Sequence, residues 1–110
     1  MRIIGSGSRP WLRDEPTTSS APADAILQLE QLRKVLWIDA EDRTCCVEAG
    51  ISLAALDAAL AENGLMLPIM DASQGTLGGA LLGGAPSLLA SVWGLPRDQV
   101  LGATWLLPDG

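Results

Sequence analysis

Two glycine-rich segments, far apart along the chain, have the composition of sites that bind phosphate. The first, Gly5-Ser6-Gly7-Ser8, follows the apolar run at residues 2–4. Glycines let consecutive backbone N–H groups point into one concavity, and serine hydroxyls can donate further hydrogen bonds to an anion. The same residues also suit any flexible turn. Pro10 stands where a G-x-G-x-x-G dinucleotide fingerprint requires glycine, so this is not that motif.

The second segment is Gly75-Thr76-Leu77-Gly78-Gly79, which is followed by Gly83-Gly84. Paired glycines at the start of a short helix would let a ligand approach the backbone, and the helix dipole would favour a pyrophosphate there. Close packing of a helix against a sheet also requires glycine, so both interpretations stay open. Two such segments converging from distant parts of the chain suit an extended dinucleotide better than a single phosphate.

Composition excludes several classes of function. The 110 residues carry a net charge of −6, with seven scattered basic residues, so no nucleic-acid partner is expected. Histidine is absent, which removes the usual general base and the commonest metal ligand. Cys45 and Cys46 are adjacent and form neither a disulfide framework nor a zinc site. We assign no catalytic residue and no metal site.

The apolar content predicts an association surface. Hydrophobic residues make up 48% of the chain, and its 12 glycines raise the apolar share to about 59%. The usual share on the same set of residues is about 45–50%. This surplus predicts a partner subunit or self-association. No apolar run has the length of a membrane span, and the first residues do not resemble a signal peptide. We therefore expect a cytoplasmic protein, for which any peripheral membrane association would run only through a complex.

The elements that position these segments follow from local patterns. Residues 2–4 indicate a strand, and residues 35–38 and 44–49 a β-hairpin around an acidic turn. Ser52 is a good N-cap for a helix over roughly 53–63, which Asn63-Gly64 would end. Glu48, at the end of the second hairpin strand, is interpreted as a solvated or turn-bonded carboxylate, with a functional role as the alternative.

Two regions leave more room for interpretation. Residues 23–36 have apolar residues at helical spacing, but their alternation around residues 25–29 also permits a short strand. Residues 100–107 indicate a strand that runs into the turn signal Pro108-Asp109-Gly110. A strand that reaches such a turn should pair with a following strand, so the chain is expected to be cut from something longer at this end. Only four residues precede the first glycine segment, so the same is expected at the start.

The sequence resembles a known family, the FAD-binding domain of the vanillyl-alcohol oxidase or PCMH type. The similar stretches are residues 2–8, residues 35–56, Pro68 with residues 75–79, and residues 97–110. The Val47-Glu48-Ala49-Gly50-Ile51 strand end, combined with the Gly-Thr-Leu-Gly-Gly segment, is fairly specific. The most similar subgroup is the FAD-binding subunit of glycolate oxidase. The resemblance also favours a strand at residues 25–29 and a turn at 30–34.

The resemblance implies a fold, a cofactor and a set of contacts. The fold would be α+β, a single partial PCMH-type domain over residues 1–110 with a small mixed sheet and short helices. The cofactor would be FAD, held non-covalently because a histidyl linkage needs a histidine. The implied FAD-binding residues are Gly5, Ser6, Gly7, Ser8, Pro68, Thr76, Leu77, Gly78, Gly79, Gly84 and Ser87.

The implied function is the FAD-binding portion of an oxidoreductase acting on a 2-hydroxy acid such as glycolate or lactate, not catalytically complete alone. The alternative is a degenerate, non-catalytic interaction domain, or a truncated fragment, that no longer binds FAD. Visible flavin absorbance that co-elutes with the chain would distinguish the two.

Overall fold

The computed structural model describes residues 2–4, 26–29, 31–69, 75–83, 89–107 and 109. The described elements follow the order β1 (Arg2–Ile4), β2 (Ile26–Gln28), β3 (Val35–Asp39), β4 (Thr44–Val47), α1 (Leu53–Ala61), α2 (Leu77–Gly83) and α3 (Ala90–Trp93), followed by a 3₁₀ turn at Pro96–Gln99. The predicted first glycine segment at residues 5–8, together with Gly84 and Ser87, lies outside the described residues.

The described strands form two separate pairs. β1 pairs with β2 in parallel, with Ile3 opposite Leu27. β3 pairs with β4 in antiparallel register, with Ile38 opposite Cys45 and an irregularity between Val35 and Trp37. Parallel and antiparallel pairing therefore both occur, but in two two-stranded sheets rather than in one continuous sheet of the described residues. The α+β prediction is confirmed, and so is the short strand within residues 25–29 that the family resemblance favoured.

The hairpin of β3 and β4 is closed by its acidic turn. The Asp39 carboxylate accepts hydrogen bonds from the backbone N–H groups of Glu41 and Asp42, each at 3.0 Å. This arrangement is an Asx-type turn, in which a side chain replaces a backbone acceptor. Arg43 then adopts a positive φ of 55°, which returns the chain into β4. The predicted hairpin is confirmed.

Helix α1 begins at the predicted residue. The Ser52 hydroxyl accepts a hydrogen bond from the Ala55 amide at 3.1 Å, which satisfies one of the free donors of the first turn. After the helix, Gly64 has a φ of 69°, the left-handed conformation that glycine adopts readily. The Leu65 amide donates back to the Leu60 carbonyl at 3.0 Å, which ends the helix near the predicted stop.

The core lies between the hairpin, α1 and α2. Its buried side chains fall into two clusters that share partly buried Leu67 and Leu77. One cluster contains Ile51, Leu56 and Leu60, and the other contains Leu53, Ile69 and Ala80. One face of the β3–β4 hairpin packs against the first cluster through Val35, Ile38, Cys45 and Val47. The turn and first residues of α1 therefore sit at the centre of the described structure.

The prediction of a strand at residues 100–107 is wrong. These residues have no regular secondary structure, and several of their large apolar side chains are exposed, including Leu101 at 86% and Leu106 at 82%. The sequence pattern was apolar enough for a strand, but a strand exists only through hydrogen bonds to a neighbouring strand. Among the described residues no segment pairs with this stretch.

Candidate functional site

The second glycine segment is joined to the start of α1 by a short antiparallel bridge. Ser52 lies opposite Thr76. The Leu53 amide donates to the Gly75 carbonyl at 3.1 Å, and the Leu77 amide donates to the Ile51 carbonyl at 3.0 Å. The bridge places the N-cap of α1 directly beside the start of α2, so the two helices begin from the same point of the fold.

Most backbone N–H groups of this segment have acceptors within the chain. Besides the bond of Leu77, the Gly78 amide donates to the Ala49 carbonyl at 2.8 Å. The Gly79 amide donates to the Thr76 hydroxyl at 3.3 Å, so Thr76 caps α2. The amides of Leu77 and Gly78 hold the segment against the turn before α1, and the Gly79 amide bonds within the segment. The sequence interpretation treated them as donors to a pyrophosphate, and it missed their internal partners.

Thr76 differs from its neighbours. In an antiparallel pair of the kind that joins Ser52 and Thr76, the flanking residues make the cross-strand bonds, and the paired residues direct their own N–H and C=O groups away from each other. The Thr76 carbonyl accepts from the Ala80 amide at 2.9 Å. Its N–H is the donor of residues 76–79 that has no acceptor among the residues the structure describes.

The paired glycines of the segment, Gly78 and Gly79, have different surroundings. A Cβ on Gly78 would come within 3.1 Å of the Ala49 carbonyl oxygen, so this glycine permits close packing. Gly79 is exposed, and a Cβ there would meet only the Thr76 hydroxyl, at 3.2 Å. The packing interpretation is confirmed for Gly78, and the ligand-binding interpretation of Gly79 stays a prediction. Gly78 serves packing, and Gly79 leaves open backbone surface.

Pro68 lies in the irregular stretch that follows α1 and is half-buried. It has no N–H, so any ligand contact it makes is through carbon atoms or its carbonyl. Its neighbour Ile69 is buried against Ala80 of α2, and the amide of Leu67 donates to the Asp57 carboxylate at 3.3 Å. The Ile69 contact places the residue after Pro68 against α2, and the Asp57 contact joins the stretch to α1. The contact of Pro68 with FAD stays a prediction.

The segment lies in a long uncharged stretch of the sequence. The sequence contains no charged residue from Ala72 to Pro96, so no carboxylate of this stretch opposes a phosphate. Within the described residues, no group of acidic, cysteine or histidine side chains could hold a metal ion.

The thiols and the carboxylate nearest to this region serve the hairpin. Burial raises the pKa of the Cys45 thiol, and the neighbouring Cys46 raises it further. Both cysteines are free thiols. The Glu48 carboxylate accepts a hydrogen bond from the Lys34 amide at 2.7 Å, which confirms the turn-bonded interpretation.

Comparison with known families decides the identity of the domain. A family model for the FAD binding domain matches residues 1–110. The chain belongs to this family. The PCMH-type resemblance and the FAD cofactor are therefore confirmed. The Thr76–Gly79 segment described above is part of an FAD binding domain. The contacts of individual residues with FAD stay predictions.

Curated relatives of this FAD binding domain are much longer proteins. A D-2-hydroxyglutarate dehydrogenase of Xanthomonas citri pv. viticola is 33% identical over 102 residues, which cover 91% of this chain and 21% of the relative. An uncharacterized FAD-linked oxidoreductase of Mycobacterium tuberculosis, found in strains CDC 1551 and H37Rv, is 30% identical over 86 residues, which cover 77% of this chain and 19% of the relative. The chain thus spans about a fifth of each relative's length.

The described helices also bear on membrane association. Over the described ranges, none of them combines the length and the apolar character needed to cross a bilayer.

Proposed function

We propose that this chain supplies part of the FAD diphosphate site of an oxidoreductase that acts on a 2-hydroxy acid. The observation that carries the proposal is the Thr76 N–H at the start of α2, which is directed away from Ser52 and has no acceptor among the described residues. A phosphate oxygen would accept this hydrogen bond, and exposed Gly79 would let the phosphate approach the backbone. Residues 72–96 contribute no carboxylate that would repel the anion.

The remaining predicted contacts complete the same proposal. Residues 5–8 would supply the other half of the diphosphate site, Pro68 would contact the cofactor through carbon, and Gly84 and Ser87 would continue along it. FAD, when bound, supplies the redox chemistry by accepting a hydride, while the protein positions it. This chain is not catalytically complete alone, because substrate contacts would come from elsewhere.

The substrate class rests on similarity. The named relative acts on D-2-hydroxyglutarate by its description, which is a 2-hydroxy acid like glycolate and lactate. We keep glycolate and lactate as candidate substrates beside it, and the cytoplasm as the location, since two free adjacent thiols suit a reducing compartment. Anaerobic bleaching of the flavin in the intact oxidoreductase, with each acid added separately, would rank the three substrates.

The test of FAD binding uses the chain itself. The purified chain should retain visible flavin absorbance or bind added FAD, followed by quenching of flavin fluorescence. Gly79→Val would place a side chain over the open backbone surface and should weaken binding. Leu82→Val is the matched control, since Leu82 is 76% exposed on the same helix. A chain that takes up no FAD, or Gly79→Val that binds as well as Leu82→Val, would contradict the proposal.

A second function, docking without cofactor, is favoured by one observation. The exposed apolar side chains of residues 100–107, which include Trp105 at 71% and Leu107 at 62%, have no partner among the described residues. A partner subunit or a second copy of this chain would cover them. A colourless chain that associates through these side chains would support an interaction domain instead of an FAD site.

A further inference from the structure

Glu48 contacts Lys34 through two hydrogen bonds that run in opposite directions. The Glu48 amide donates to the Lys34 carbonyl at 2.9 Å, and the Glu48 carboxylate accepts from the Lys34 amide at 2.7 Å. One side chain therefore completes the backbone pairing at the open end of the hairpin, next to the register irregularity at Val35. The charge-assisted bond is of the stronger kind among protein hydrogen bonds.

The turn that follows Glu48 carries the acceptors for the glycine segment. The Ile51 amide donates to the Glu48 carbonyl at 3.1 Å, which closes a tight turn over Ala49 and Gly50. The carbonyl of Ala49 accepts the Gly78 amide, and that of Ile51 accepts the Leu77 amide. The position of these two carbonyls fixes where α2 begins.

The turn is also enclosed on its other side. Gly50 is buried, and a Cβ there would lie 2.1 Å from the Leu29 carbonyl oxygen and 2.6 Å from that of Leu32. The turn is thus held by packing at Gly50 and by hydrogen bonds at Glu48. The packing at Gly50 involves backbone atoms, whereas the hydrogen bond of the Glu48 carboxylate can be removed by substituting one side chain.

We infer that Glu48 is a positioning residue for the Thr76–Gly79 segment and, through it, for the FAD diphosphate. The inference rests on the proposed function for its cofactor half. The carboxylate holds Lys34 and the turn in register, the turn presents the Ala49 and Ile51 carbonyls, and these orient the amides that place Thr76. Glu48 itself touches no part of the proposed diphosphate site.

The test separates the reach of the Glu48 side chain from its charge. Glu48→Gln keeps an oxygen at the same distance from the backbone, and Glu48→Asp keeps the charge but is one methylene shorter. Glu48→Ala removes both, and Glu41→Ala removes a comparable charge from the exposed turn of the same hairpin. The readouts are amide hydrogen exchange at Leu77 and Gly78 and the dissociation constant for FAD.

A positioning role predicts a specific order of effects. Exchange at Leu77 and Gly78 should accelerate about tenfold in Glu48→Ala and Glu48→Asp, equivalent to about 1.4 kcal/mol of local opening. FAD affinity should fall by several-fold in the same two variants. Glu41→Ala should resemble the unsubstituted chain in both readouts, and exchange at core Leu56 should not change in any variant. Glu48→Gln should have an effect between those of Glu41→Ala and Glu48→Ala, because it keeps the acceptor in reach but loses the charge.

Other outcomes overturn the inference in defined ways. Wild-type exchange at Gly78 in Glu48→Asp, or an effect of Glu48→Gln as large as that of Glu48→Ala, would show that the reach of the side chain to Lys34 is not what matters. Faster exchange with unchanged FAD affinity would overturn the cofactor half. If the unsubstituted chain binds no FAD, the proposed function fails, and the exchange rates alone decide whether Glu48 positions the segment. If Glu48→Ala does not fold, the Asp and Gln variants carry the test.

Discussion

The Gly78 amide lies 2.8 Å from the Ala49 carbonyl oxygen, and a Cβ on Gly78 would come within 3.1 Å of the same atom. The contact joins the turn before α1 to the first turn of α2 with no side chain between them. The packing of α2 therefore depends on the absence of a side chain at this residue.

Gly78→Ala should destabilise the chain despite the better helix propensity of alanine. Overpacking against backbone typically costs about 1–3 kcal/mol, while alanine in a helix gains at most about 1 kcal/mol over glycine. We expect a net loss of about 1 kcal/mol in the free energy of unfolding, measured by urea denaturation. Gly102→Ala is the control, because nothing lies within 4 Å of a Cβ there. Equal stability of the two variants would show that the turn at Ala49 shifts to accommodate the new methyl group at little cost in free energy.

Gly50→Ala should have the larger effect. Its Cβ would lie 2.1 Å from one backbone oxygen and 2.6 Å from another, so the backbone itself must move. We expect a loss of about 3 kcal/mol, at the upper end of overpacking costs. Thermal unfolding followed by circular dichroism would measure it, again with Gly102→Ala as the reference. A melting temperature close to that of the reference would mean that the turn is not enclosed by Leu29 and Leu32.

Ser52→Ala should remove the N-cap of α1. The hydroxyl accepts from the Ala55 amide at 3.1 Å, and loss of such a cap typically costs about 1 kcal/mol. Ser52→Thr retains an acceptor and should lose much less. Urea denaturation of the two variants side by side measures the difference. An alanine variant as stable as the threonine variant would show that the Ser52 cap does not stabilise α1.

Cys45 should respond to pH in a defined direction. Because burial, and then Cys46, raise the pKa of its thiol, the folded state holds this proton more tightly than the unfolded state. The resulting contribution to stability is complete below the ordinary thiol pKa and is lost as the pH rises through it to the folded value. The free energy of unfolding should therefore fall in alkaline solution, and less so in Cys45→Ala than in Cys46→Ala. An identical alkaline decline in both variants would contradict the assignment.

The exposed apolar side chains of residues 100–107 should drive association. We expect light scattering after size exclusion to show a concentration-dependent increase in mass that Trp105→Ser with Leu106→Ser reduces. Leu36→Ser is the control, since Leu36 is 57% exposed on the hairpin. A monomer at every concentration would end this part of the proposal, and an equal effect of Leu36→Ser would move the contact to the hairpin.

Local patterns were enough to predict the parts of the fold that depend on neighbouring residues. The hairpin follows from alternation around an acidic turn, and the start of α1 follows from the capping chemistry of Ser52. The strand Ile26–Gln28 was ambiguous from periodicity, because three residues carry little signal, and it was predicted through the family resemblance.

Features that depend on distant partners could not be predicted in this way. The strand predicted at residues 100–107 was wrong because its apolar pattern says nothing about a neighbour. The amides of Leu77 and Gly78 were interpreted as ligand donors because their acceptors, Ile51 and Ala49, lie far away in the sequence. The contacts of residues 5–8 with FAD remain a prediction.

Among the described residues, the side chains of the two core clusters all come from the stretch 35–80. The loops that these contacts close lie within that stretch, and shorter loops lose less entropy on closing. We therefore expect this stretch to form its core contacts without the residues that follow it. In a long oxidoreductase it would provide an early nucleus onto which later segments add.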